Sequence, residues 1–329
     1  MRIVVIGASA VAESLAALMT TSNIQFRHIP DGTTVSTGDL KHVDWVIEAT
    51  GFDKANKIPV LKHLSEILPK TCLLSTDESI VPRAELAHDV GLGGNFLVSH
   101  FFLPVQTLPL LELVSDKSAD SLLLGALRAF CTERLGRELV IAPDSPGFIA
   151  NRIGLYCLAR GIRLALDSDI AVHDADAAAA AELGLPRSGV FGLVDLIGLQ
   201  LTIRLINDLI ARLAADDPMQ ACSLAADPKL SRLLARDGDS RFYHRDPRSK
   251  QRMSLDCRSL EYRNPDPGQP ISAEARAFAQ LLRKDVTQYA ARLARIEKIS
   301  ASAINLAVSK GYGWSRGVLE EVGSSASLG

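Results

Sequence analysis

At 329 residues, with 47% hydrophobic and 22% charged positions, the chain is long enough for two domains with their own cores and needs no metal or disulfide staple. A net charge of -2 gives no general pull toward nucleic acid or an anionic membrane, so neither is expected as a partner. The five cysteines (Cys72, Cys131, Cys157, Cys222, Cys257) form no CxxC pair, MRIVVIGASA lacks a signal-peptide layout, and no apolar run reaches about 20 residues, so a cytoplasmic protein is expected.

Residues 2–6, RIVVI, are a short β-branched run ending at Gly7, and AESLAALM follows with helical spacing of its apolar positions. This reads as strand, tight turn, helix. The turn, GASAVA, keeps the first glycine of a GxGxxG pattern as Gly7, has Ser9 at the second and Ala12 at the third. Backbone N–H groups of such a turn suit a pyrophosphate, so Gly7, Ala8, Ser9 and Ala12 are candidate dinucleotide contacts; a plain α/β turn is the alternative. Further strands are expected at IQFRHI (24–29), DWVIEAT (44–50), TCLLST (71–76) and GNFLVSH (94–100), with KIPVLKHLSEIL as a helix between two of them. Strands alternating with helices imply a parallel sheet covered on both faces. Asp31, after the second strand, suits ribose hydroxyls, although PDG is equally a turn.

SHFFLPVQTLPLLELV (99–114) is apolar apart from His100 and, twelve residues on, Glu112. His100 falls at the C-terminal end of a strand, the edge where open α/β sheets form ligand crevices. A carboxylate that accepts one ring N–H fixes the tautomer and leaves the other nitrogen as a base. The alternative is a core histidine and a solvent-facing glutamate.

From Ser145 onward PGFIANRIGLYCLARGIRLAL, DADAAAAAELG and LVDLIGLQLTIRLINDLIARLAA are amphipathic and helical in spacing. Ser145 is expected to cap the first helix, with Pro146 at its first position. Asn151 then falls about a turn and a half in, from where its amide could reach a ligand oxygen across the domain junction. Asp174 and Asp176 read as helix-start residues, and no metal site is expected. Residues 236–272 are polar and rich in Arg and Pro, a linker with SLEYR as a brief extended piece. Helical spacing then resumes, and SAINLAVSKGYGWSRGVLEEVG echoes ADAAAAAELGLPRSGVFGLVDLIG, which suggests a partial duplication. The expected domains are 1–144, 145–235, a linker at 236–272, and 273–329.

Taken in order, DWVIEAT, SHFFLPVQTLPLLELV, APDSPGFIANR and LPRSGVFGLVDLIGL resemble the DLVIEA, HFFNP, DxPGFIxNR and PxGPFxLxDxxGL segments of the 3-hydroxyacyl-CoA dehydrogenase family of β-oxidation. The later part is similar to multifunctional relatives with a duplicated helical domain. The resemblance implies an α/β Rossmann-type parallel-sheet domain, then an all-α domain of the 6-phosphogluconate dehydrogenase C-terminal type with a partial second copy. It implies NAD as cofactor, with Ala49 and Thr50 joining the cofactor contacts, and an acyl-CoA substrate. His100 is implied as base, Glu112 as its orienter, Asn151 and Glu78 as substrate contacts, and a monomeric pseudo-dimer or a homodimer through the helical domains. Four positions depart from the pattern. Leu103 stands for the asparagine after HFF, Glu78 for a serine of NTSS, and Phe52 and Ala55 for an acid and a lysine that Asp53, Lys54 or Lys57 could replace in a shifted register. A dozen residues stand where the family has a helical arm over the CoA, which implies a more open site. Competing readings are a degenerate binding or assembly subunit and a reductase of a small non-CoA compound.

Overall fold

The computed structural model describes residues 1–320 apart from 169, 226, 237–239, 247 and 266–269. Parts of the expected linker and the end of VLEEVGSS therefore lie outside the described residues. The chain divides into two compact units, Met1–Ile149 and Ala150–Gly329.

The first unit runs β1 (Ile3–Ile6), α1 (Ala10–Thr21), β2 (Phe26–Ile29), β3 (Trp45–Glu48), α2 (Lys54–Ile67), β4 (Leu73–Thr76), α3 (Arg83–Val90), β5 (Phe96–Phe101), β6 (Leu110–Val114), α4 (Ser121–Glu133) and β7 (Glu138–Ile141). Its seven strands lie in the order β2-β1-β3-β4-β5-β6-β7, parallel except where β6 returns against β5. The side-chain period of two divides the core between the sheet faces. Ile3, Val5, Trp45, Ile47, Leu97, Leu111 and Leu113 pack with α1 and α4 residues such as Leu15 and Leu127. Val4, Ile6, Val46, Leu74 and Phe96 pack with Leu61, Leu64 and Leu86 of α2 and α3. Burial on both faces explains the continuous apolar runs of β1, β3 and β5.

Chain order reverses at β1, with β2 on one side and β3 on the other, so the C-terminal ends of β1 and β3 flank the switch point of the sheet. Gly7 closes the turn there at φ 131°, and a Cβ on it would lie 2.1 Å from the Ala49 carbonyl oxygen.

The second unit holds α5 (Ala150–Ser168), α6 (Val172–Leu183), α7 (Phe191–Ile197), α8 (Leu199–Ile210), a 3-10 turn (Pro218–Cys222), α9 (Pro228–Leu234), α10 (Ala273–Glu297) and α11 (Ala301–Tyr312). Helix α10 packs along α5 and α6, and α11 packs on α5. The expected start at Pro146 is corrected: α5 begins at Ala150, because Gly147 (φ 72°) and Phe148 (φ 51°) are left-handed and a right-handed helix cannot run through them. Asn151 is therefore in the first turn. The polar stretch after α9 contributes more than one extended piece. Strands β8 (Tyr243–Arg245), β9 (Arg252–Leu255) and β10 (Tyr262–Arg263) form a small antiparallel sheet.

Asp174 sits in the first turn of α6 as expected, but Asp176 does not act as a helix-start residue of α6. It is buried and accepts the backbone N–H groups of Val190 (2.7 Å), Phe191 (2.9 Å) and Gly192 (3.1 Å), where α7 begins, and the Tyr243 hydroxyl (2.8 Å). Burial pushes its carboxyl up to about 6 despite those four donors. No helix among the described residues is long and apolar enough to cross a membrane.

Candidate active site

His100 and Glu112 are direct cross-strand partners in the β5–β6 pair. The twelve-residue spacing is that of an antiparallel return, and both side chains leave the sheet on the face opposite Leu111 and Leu113. Nδ1 of His100 lies 2.7 Å from Oε2 of Glu112. The other carboxylate oxygen accepts the Ile149 N–H at 3.1 Å, so the PGFI backbone holds Glu112 while Glu112 holds the ring. Phe102 and Phe148 flank the imidazole, with ring centroids at 4.1 and 5.9 Å. Nε2 of His100 has no hydrogen-bond partner among the described residues. A neutral ring donating Nδ1–H to the carboxylate thus presents Nε2 as a base.

A second polar cluster lies on the same sheet face. Lys57 of α2 is fully buried, with Nζ 3.2 Å from Glu48 Oε2, 3.2 Å from Thr76 Oγ1 and 2.6 Å from the Asp77 carbonyl. Glu48 also accepts the Thr50 N–H (2.7 Å), the Thr50 hydroxyl (2.6 Å) and the Thr76 hydroxyl. Burial works against the Lys57 charge, but Glu48, then Glu78 and Asp77, outweigh it and hold the ammonium above its ordinary range. The sequence gives no sign of this. Lys57, which could replace the family's lysine in a shifted register, is committed to the interior instead. Lys54 is likewise engaged, with Glu85 at 2.8 Å and Asp89 at 2.5 Å, and Asp53 caps α2 through the Ala55 N–H. Phe52 is exposed.

Asp77 and Glu78 follow β4 and are both buried. The Glu78 carboxylate turns onto its own loop, with Oε1 accepting the N–H groups of Ser79 (2.8 Å), Ile80 (3.0 Å) and Val81 (3.2 Å). Those amides offset part of the charge of that carboxylate, while its Oε2 is buried with no hydrogen-bond partner among the described residues. Asp77, which sequence reasoning passed over, places Oδ1 3.1 Å from the N–H of Phe101, the residue after His100.

At the β1–α1 turn, Ser9 caps the helix by accepting the Ala12 N–H at 3.2 Å. The N–H groups of Ala10 and Val11 have no acceptor among the described residues, and Ala8 and Ala10 are exposed. Free amides at an open helix N-terminus fit a pyrophosphate. Ala49 is buried against Gly7, while the polar groups of Thr50 point to Glu48. Asp31 is exposed in the turn beyond β2. The residues present fit a dinucleotide: the turn of residues 7–12 for its phosphates, Asp31 for a ribose.

Asn151 belongs to the second unit. Its Oδ1 accepts the Tyr312 hydroxyl at 2.8 Å, and Tyr312 packs over Gly154, where a Cβ would clash with the ring. No group of three or more His, Cys, Asp or Glu residues able to hold a metal occurs among the described residues.

Residues 26–145 match the family description 3-hydroxyacyl-CoA dehydrogenase, NAD binding domain, and residues 147–244 match 3-hydroxyacyl-CoA dehydrogenase, C-terminal domain. The chain belongs to the 3-hydroxyacyl-CoA dehydrogenase family. The first match starts at Phe26, so β1 and its turn precede it. A Mycobacterium tuberculosis 3-hydroxybutyryl-CoA dehydrogenase is 32% identical over 176 residues, 53% of this chain and 61% of that protein. A Rickettsia felis protein named for a trifunctional fatty acid oxidation complex is 28% identical over 222 residues, 64% of this chain; the match spans only 31% of that longer protein. The solved 3-hydroxybutyryl-CoA dehydrogenase of Escherichia coli shares the fold across 97% of this chain and 90% of its own, at TM-score 0.71 and 16% identity. The matched NAD-binding range covers β2 to β7 of the first unit, and His100 and Glu112 stand within it.

Proposed function

We propose that the protein oxidises a 3-hydroxyacyl-CoA to the 3-oxoacyl-CoA with NAD. The observation that carries this reading is the His100–Glu112 pair, 2.7 Å apart at the C-terminal edge of an NAD-binding sheet, with Nε2 unbonded. His100 Nε2 takes the proton of the substrate's 3-hydroxyl. Bound NAD supplies the acceptor for the hydride that leaves the same carbon. Glu112 keeps the ring in the Nδ1–H tautomer before the transfer and stabilises the imidazolium after it, and general-base catalysis of this kind is worth about 10²- to 10⁴-fold. The turn from Gly7 to Ala12 would hold the NAD phosphates.

Asn151 is assigned to the substrate oxygen. Its Oδ1 accepts the Tyr312 hydroxyl, which fixes the side chain in place. The packing of α10 along α5 and α6 supports an intramolecular pseudo-dimer in which the later helices fill a partner's place. The fatty-acid oxidation context is taken from the names of the relatives.

The test is NADH production from (S)-3-hydroxybutyryl-CoA and NAD by wild type and Glu112→Gln. Wild-type turnover that falls about 10²-fold or more in Glu112→Gln, with substrate KM little changed, supports the reading. Absence of turnover in the folded wild type across acyl chain lengths refutes it.

A further inference from the structure

Glu112 is not the only carboxylate whose field reaches His100. Asp77 follows β4, the strand beside β5, and each of its groups is fixed. Its N–H donates to the Glu48 carbonyl at 2.7 Å, its carbonyl accepts from Lys57 at 2.6 Å, and its side chain accepts the Phe101 N–H at 3.1 Å. The carboxylate is therefore tied to the backbone of the strand that carries the base, one residue beyond it. It is buried, so water screens its field poorly.

We propose that Asp77 is a second carboxylate for His100, a positioning residue whose negative charge raises the basicity of the imidazole that Glu112 orients. This rests on the reading of His100 as the base and deepens it.

The charged groups around the pair are few. Glu112 of β6 is bonded to the ring at Nδ1, and the Asp77 carboxylate is held at the N–H of the next residue along β5. Lys57 of α2 and Glu78 of the same loop act on Asp77, and Glu48 of β3 acts through Lys57. Burial pushes the Asp77 carboxyl up to about 6, His100 and Lys57 pull it back, and Glu78 adds to the rise. Coupling between two titrating groups is mutual: whatever a charged His100 does to hold Asp77 ionised, an ionised Asp77 does to hold the proton on His100. Near neutral pH Asp77 is ionised and the base is strong. As pH falls through about 6, Asp77 takes a proton and its support of His100 is lost.

Asp77→Asn separates charge from geometry, because the amide oxygen still accepts the Phe101 N–H. The experiment follows the His100 ring resonances by NMR through a pH titration of the full chain, in wild type and Asp77→Asn, with His100→Gln for assignment. The His100 midpoint should fall by about one unit or more in Asp77→Asn, the size expected on removing a nearby opposite charge. The acid limb of the kcat/KM profile should move down with it. Identical His100 midpoints in the two proteins overturn the proposal and leave Asp77 a purely structural acceptor. Should Asp77→Asn not fold, the Asp77 carboxyl carbon is titrated in wild type and in His100→Gln. A midpoint that rises when the histidine is removed supports the coupling, and an unchanged one overturns it. Failure of the base reading is distinct: it would appear as turnover indifferent to His100→Ala, whatever the NMR midpoints.

Discussion

Replacing Lys57 with methionine tests the buried hub of the first unit. The substitution keeps most of the side-chain volume and removes the ammonium. Among the described residues it leaves the fully buried Glu48 carboxylate with only the Thr50 N–H and the Thr50 and Thr76 hydroxyls as donors. Breaking a buried ion pair from one side costs about 3–5 kcal/mol, because the remaining charge is uncompensated. The Asp77 carbonyl also loses its 2.6 Å donor, worth about 1 kcal/mol. Lys57→Met should therefore destabilise the unit by about 4–6 kcal/mol, and the double variant with Glu48→Gln should recover at least about 2 kcal/mol of that, since no charge is then stranded. Urea unfolding followed by Trp45, which is buried in β3, in a Trp314→Phe background, reads the unit that holds the pair. A loss under about 1 kcal/mol for Lys57→Met, or a double variant in which the two losses simply add, would refute the reasoning.

Gly7→Ala places a methyl 2.1 Å from the Ala49 carbonyl oxygen at φ 131°, so backbone strain of about 1–3 kcal/mol and overpacking of similar size should lower the urea midpoint. NADH affinity should fall with it, because β1 and β3 are forced apart at the switch point; unchanged NADH binding would remove the turn from the cofactor site. The carboxyl of Asp176 titrates at about 6 in the folded chain against an ordinary 3.8, so its proton favours the folded state. That stabilisation is complete below about pH 4 and is lost as pH rises through about 6, up to about 3 kcal/mol in all. Urea midpoints measured across this window should fall less steeply in Asp176→Asn than in wild type, and equal slopes would contradict the assignment. Tyr312→Phe removes the hydroxyl that holds Asn151 Oδ1, so substrate KM should rise several-fold while NADH affinity holds; an unchanged KM would leave Asn151 without a demonstrated ligand role.

The His100–Glu112 pairing was open in the residues alone, which equally allow a core histidine and a solvent-facing glutamate; the resemblance favoured it, and the β5–β6 return makes the two direct cross-strand partners. The alternation of strands and helices implied the parallel sheet, because a helix between two strands returns the chain to run in the same direction. The start of α5 was not legible. Ser145 and Pro146 carry the local signals of a helix start, while a left-handed Phe148 is held by tertiary packing that no neighbour in sequence announces. Lys57 read only as a replacement for the family's lysine in a shifted register. Its partners, Glu48, Thr76 and Asp77, come from β3 and from the end of β4, and only the assembled sheet brings them together. Asp176 misled in a similar way. A carboxylate early in a helix usually serves that helix, but this one caps the next and ties Tyr243 to it. The short strands β8 to β10 lie in a polar, arginine-rich stretch whose apolar positions are too few to signal a sheet.

The central claim, that His100 is the base of an NAD-dependent oxidoreductase, is tested most directly by one paired measurement on wild type and His100→Ala. NADH is first titrated by fluorescence, and acetoacetyl-CoA reduction is then followed at saturating NADH. Equal NADH affinity in both proteins, with turnover in wild type reduced about 10²- to 10⁴-fold in His100→Ala, is the predicted result. Turnover that survives His100→Ala intact would contradict it, and so would a wild type that does not bind NADH.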